Sequence, residues 1–145
     1  MIVDLHRRTV RRFYDEIWNR RDFAVAEELL AEDLVFRGSL GAEHRSRAGF
    51  LAYVAEVTGA LADYRCDIVA LVADEDGAAA RLRFSGRHVG TFMGFAPPPG
   101  RAGRMVGWSG AAFFDFAGGR IAGLWVLGDL AALRAQLEQD ARDSP

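Results

Sequence analysis

The hydrophobic spacing of this chain changes period partway along, and that change decides which folds are open to it. Through the first sixty or so positions apolar residues recur every three or four places, and past Tyr64 they fall into extended runs punctuated by glycine turns. Leu5, Val10, Phe13, Tyr14, Ile17 and Trp18 make one stripe, with Arg7, Arg8, Arg11 and Arg12 on the opposite side, which predicts a helix over about 4–19 capped by Asp4. The arginines read as its solvated face. Asp22 caps a short helix through Leu29 and Leu30, and residues 34–37 read as a brief strand. After a loop over 38–45, Ser46 caps a third helix that buries Phe50, Tyr53, Val54, Val57 and Leu61. Strands are predicted over 65–73, 78–88, 104–116 and 120–127, with turns at Asp76-Gly77 and Gly118-Gly119. Thr91 to Gly100 carries three successive prolines and reads as a loop. Asp129 introduces a last helix with Leu130, Leu133, Leu137 and Ala141, and the last few residues, Asp143-Ser144-Pro145, look frayed. Helices, then four long strands, then a helix predict one α+β domain over 1–145, a strongly curved antiparallel sheet wrapped around the N-terminal helices.

Composition removes whole classes of chemistry. All 18 basic residues are arginine. Without lysine there is no Schiff-base aldolase, no lysine-anchored pyridoxal phosphate and no Walker-type phosphate loop. The sole cysteine, Cys66, forbids an intrachain disulfide, a C-x-x-C redox pair and a multi-thiolate zinc site. A net charge of −2 leaves no electrostatic footprint for nucleic acid. No apolar stretch approaches the roughly 20 residues that span a bilayer, and no secretory segment opens the chain, so a cytoplasmic protein without membrane contact is expected. His6, His44 and His88 are scattered without carboxylate partners at ligand spacing, and no metal is expected. Ser85 and Ser109 lie on strands rather than on a nucleophile elbow.

Four motifs in order resemble one family. Tyr14-Asp15-Glu16-Ile17-Trp18-Asn19-Arg20-Arg21-Asp22 is similar to the opening helix of SnoaL-like polyketide (ester) cyclases. Phe84 to Gly94, containing Gly86-Arg87-His88-Val89-Gly90-Thr91-Phe92, resembles their central segment, and Pro98-Pro99-Gly100 stands where they carry Pro-Thr-Gly. Gly119-Arg120-Ile121 followed by Trp125 and Asp129 resembles their ending. The resemblance runs from about residue 7 to 138. It implies the nuclear-transport-factor-2-like cone with one deep apolar pocket, a homodimer paired through the outer sheet faces, and a small hydrophobic substrate handled without a cofactor.

The same resemblance points to Asp129 as the general acid/base of an intramolecular aldol-type closure. A carboxylate suits that step where an apolar cavity raises its pKa, and Phe92, Phe114, Trp108 and Trp125 are the expected surroundings. Asp129 also directly precedes a helix, so a capping role stands beside the chemical one. His88, helped by Arg87, is the candidate for polarising a substrate carbonyl; holding loop backbone is its other reading. His44 sits in a glycine-flanked loop as a candidate lid residue, and Tyr14, Tyr53 and Tyr64 combine apolar rings with polar tips. Cyclases of this kind place a histidine on the penultimate strand, where this chain has Gly107 to Phe114 with none. A non-catalytic module binding a small apolar ligand therefore remains open. So does an epoxide-hydrolase-like water activation using Asp67, Arg83 and Asp115.

Overall fold

The protein is described by a computed structural model covering residues 1–99 and 103–143. The chain begins with α1 (Ile2–Arg12), which continues into a π-helical stretch, Phe13–Asn19. Met1, not Asp4, stands at the N-cap and no side chain caps the helix; Asp4 lies in the first turn, where a carboxylate still favours the positive end of the helix dipole. Asp22 accepts from the Ala24 amide and opens a short 3₁₀ turn, Phe23–Val25, followed by α2 (Ala26–Leu29). Strand β1 (Leu30–Arg37) starts earlier than the sequence suggests, and β2 is only Glu43–His44. Ser46 caps α3 (Arg47–Ala60) through a 2.9 Å bond from Gly49 N. Leu61, placed on that helix by its spacing, instead begins β3 (Leu61–Ala73).

The remaining elements are β4 (Gly77–His88), β5 (Arg104–Ala117), β6 (Arg120–Gly128) and α4 (Leu130–Arg142). The Asp74 carboxylate accepts from the amides of Asp76 and Gly77 and closes the β3–β4 turn. Gly118 and Gly119 take positive φ at the β5–β6 turn, where side chains are disfavoured. Gly100 and the end of its Pro-Pro-Gly motif, with Ser144 and Pro145, lie outside the described residues.

The sheet order is β2-β1-β6-β5-β4-β3, with β3 to β6 an antiparallel meander. One pairing departs from the expected antiparallel sheet: β1 runs parallel to β6. Tight turns force antiparallel neighbours only on strands they join, and β1 reaches β6 through the whole intervening chain. Register shifts between Ala62 and Arg65, Ile68 and Ala70, and Asp115 and Phe116 bend the strands, and the sheet curves without closing. Its concave face packs on α1, the π-helical stretch and α3. Phe13, Ile17, Phe50, Leu61, Leu82, Trp108 and Ile121 are all essentially without exposure there.

Two side chains finish the sheet where strands run out. Asn19 accepts from Cys66 N at 2.7 Å and donates to Cys66 O at 3.0 Å, acting as a one-residue neighbour for edge strand β3. Gln136 of α4 does the same for β5: it accepts from Gly107 N at 2.9 Å and donates to Gly107 O at 2.6 Å, beyond the point where β6 ends. Among the described residues no helix is long and apolar enough to cross a membrane.

Candidate functional site

A narrow aromatic cavity opens where the π-helical stretch, α3 and the concave sheet face meet. The π-helical stretch buries Phe13, Tyr14, Ile17 and Trp18 together, on the side that their helical spacing marks as apolar. Phe13, Tyr14 and Trp18 line the cavity from that side, and Tyr53 and Val57 from α3. Tyr64, Phe84, Trp108, Leu124 and Val126 supply the sheet wall, and Phe36, Ser39 and Leu40 the remainder. Its free space is about 20 Å³. That is room for about one water, the threshold being roughly 10–15 Å³.

All three tyrosines of the chain line this space, and no charged side chain does so among the described residues. Burial pushes the hydroxyls of Tyr14 and Tyr64 well above the ordinary phenol value, and that of Tyr53 upward too, so all three stay protonated. Tyr14 Oη and Trp108 Nε1 are buried and have no hydrogen-bond partner. Packing fixes both rings: Tyr14 meets Phe13 and Phe114 edge-on at 4.9 and 6.0 Å, and Trp108 stacks on Phe84 at 5.1 Å.

The residues picked out from sequence fall into three groups. Tyr14 and Trp108 line the cavity. Phe114, Phe92 and His44 stand one layer back: Phe114 against Tyr14, Phe92 against Trp108 at 6.0 Å, and half-buried His44 against Phe36 and Tyr53. His88 is buried beneath the turn at 92–95, its Nε2 3.0 Å from Phe95 O, while Nδ1 has no partner. Its loop-holding reading describes this geometry.

The third group lies elsewhere. Trp125 is 45% exposed on the convex face, with the Arg37 guanidinium 5.3 Å over its ring. Strand alternation puts it opposite the inward Leu124 and Val126. Arg87 forms an ion pair with Asp63 at 2.8 Å, away from the cavity. Asp129 caps α4 through a 3.1 Å bond from Ala132 N and is exposed, so the apolar surroundings expected for it are absent in this state. It nonetheless follows Gly128 directly, where a Cβ would stand 3.0 Å from Ser39 Cβ and 3.1 Å from Trp108 Nε1. The end of β6 therefore abuts the cavity wall. Asp67, Arg83 and Asp115 are exposed, and none lines the cavity, so an Asp-Arg-Asp water site does not form there. No group of three or more metal-ligating side chains gathers among the described residues.

Of the lining residues, the sequence offers Tyr14, Tyr53, Tyr64 and Trp108 as candidates; the rest were missed, Ser39 and Leu40 because they sit in a loop without hydrophobic period and Trp18 because it reads as part of an apolar stripe. The tyrosine tips were the available signal, since a ring with a polar end suits a cavity wall.

The fold is an α+β architecture: a curved open sheet with helices packed across its concave face. The chain belongs to the SnoaL-like polyketide cyclase family, whose profile matches residues 8–137. Solved structures share the fold. A protein from Jannaschia sp. CCS1, titled a candidate SnoaL-like polyketide cyclase, superposes with a TM-score of 0.82 at 20% identity, covering 94% of this chain and 93% of that one. IdmH from Streptomyces antibioticus, titled a candidate polyketide cyclase, gives 0.76 at 25% identity over 91% and 97%. AclR from Streptomyces galilaeus, titled a candidate hydroxylase, gives 0.77 at 23% over 94% and 98%. No curated protein matches the sequence.

Proposed function

We propose that this protein binds a small hydrophobic carbonyl compound in the aromatic cavity and carries out cofactor-free proton transfer on it, in the manner of an aldol-type cyclase or isomerase. The observation that supports the reading is the close approach of Gly128 to the lining residues Ser39 and Trp108, with Asp129 the next residue along the chain. Free, the carboxylate is solvated. A ligand seated across the cavity rim excludes water from it and sets an acidic carbon beside a proton acceptor. Ser39 and Leu40 are the only lining residues outside helices and strands among those described, so the 38–42 loop is the wall that yields on entry.

Solvent-deuterium exchange at the acidic carbon of an aromatic polyketide methyl ester tests the proton-transfer step without the true substrate. Exchange is expected with the parent protein and lost in Asp129→Asn, which keeps the helix cap. Full exchange in the variant removes Asp129 from the role. No exchange with the parent, while binding persists, favours the ligand-binding module.

The convex face carries a second reading. Val35, Phe113, Trp125 and Leu127 are exposed there, with Phe113 and Trp125 in ring contact at 6.1 Å. A second copy of the chain is the proposed occupant, as the family resemblance implies. Sedimentation is expected to give a dimer that Phe113→Glu with Trp125→Glu converts to monomer; a parent that sediments as a monomer overturns it.

A further inference from the structure

We propose that Tyr14 Oη and Trp108 Nε1 are paired donors that select an uncharged, oxygen-bearing ligand, a ketone or ester carbonyl being the fitting class. This rests on the aromatic cavity being the ligand site, but not on any chemistry at Asp129. Both residues are almost wholly buried, at 2% and 1% exposure, and both polar atoms lack a partner. An unsatisfied buried donor is costly, and native proteins rarely keep one without a use. Here both residues line one cavity, Tyr14 from the helical side and Trp108 from the sheet, each ring held by aromatic neighbours.

The donor chemistry sets the selectivity. An indole N–H donates and cannot accept. The Tyr14 hydroxyl is kept protonated by its burial, so it too offers a proton at neutral pH. No cation lines the cavity among the described residues, and a carboxylate ligand would lose its hydration without a counter-charge. A hydrocarbon of the same shape would fill the space and leave both donors unpaired. The free volume fits about one water, which a ligand oxygen replaces.

Acetophenone and α-methylstyrene have nearly the same shape, with C=O exchanged for C=CH₂, and benzoate adds the charge. Their affinities are measured by titrating amide and indole N–H resonances of the full chain. The ketone is expected to bind at least tenfold tighter than either comparator, and to move the Trp108 indole resonance where the alkene does not. Tyr14→Phe and Trp108→Phe are each expected to reduce the ketone-over-alkene preference about fivefold to tenfold, the worth of one hydrogen bond. The double variant is expected to have none. Because the Tyr14 hydroxyl has no protein partner to lose, Tyr14→Phe is expected to melt at or above the parent's temperature; a purely structural hydroxyl would lower it. Equal affinity for ketone and alkene, an unchanged preference in both single variants, or no ketone binding up to its solubility limit each overturns the proposal. Failure of deuterium exchange alone leaves it standing and counts against Asp129 instead.

Discussion

Asn19 and Gly110 show how much of this fold hangs on single positions. Asn19 satisfies both backbone groups of Cys66, using its amide as a stand-in for the next strand. Asn19→Ala leaves a partly buried N–H and C=O unpaired, and urea denaturation is expected to show a loss of about 2 kcal/mol. Asn19→Asp keeps the acceptor, loses the donor, and is expected to fall between. A Cβ at Gly110 would stand 2.6 Å from the Phe84 ring and 2.7 Å from Leu127 O. Phe84 is pinned by its stack on Trp108, so Gly110→Ala forces backbone apart and is expected to lower the melting temperature and disturb the cavity wall together.

At the scale of elements, the π-helical stretch and α4 each carry a side chain that completes the sheet. Phe13–Asn19 buries Phe13, Tyr14, Ile17 and Trp18 and delivers Asn19 to the sheet edge. Arg12 reaches both Glu16 and Glu28 and ties this stretch to α2; the guanidinium holds the Glu28 carboxyl below its usual value. Helix α4 covers the length of β5 that β6 leaves bare, through Gln136 and the fully buried Leu133 and Leu137. Gln136→Ala strands the Gly107 amide and carbonyl and is expected to cost about 2 kcal/mol. Asp129→Ala removes the cap of the same helix, a loss of about 1 kcal/mol, whereas Asp129→Asn stays within a few tenths because asparagine caps as well. Denaturation of these two variants separates the structural role of Asp129 from any chemical one.

For the whole molecule, the buried tyrosines set a limit at high pH. Unfolded phenols ionise near 10.0, while in the folded chain burial raises Tyr14, Tyr53 and Tyr64 above that value. The folded state therefore holds more protons than the unfolded one as pH climbs past that value, and stability falls there; below it these groups leave stability unchanged. Cys66, whose thiol burial pushes above 9.0, adds to the slope. Tyrosinate absorbance is accordingly expected to appear only with cooperative unfolding, and a gradual titration of the native protein would contradict the burial. Much of this architecture was legible from local patterns. Hydrophobic period placed the helices and four long strands, and Ser46 and Asp22 marked helix starts. Period, caps and turns are properties of neighbours along the chain, so the sequence carries them openly. The parallel β1–β6 pairing, the π-helical register, the backbone partners of Asn19 and Gln136, and the outward turn of Trp125 depend on residues far apart in sequence. So does the gathering of all three tyrosines around one cavity. Those were settled by which surfaces meet and which polar groups each meeting leaves unpaired, and that is fixed only when the whole chain has packed.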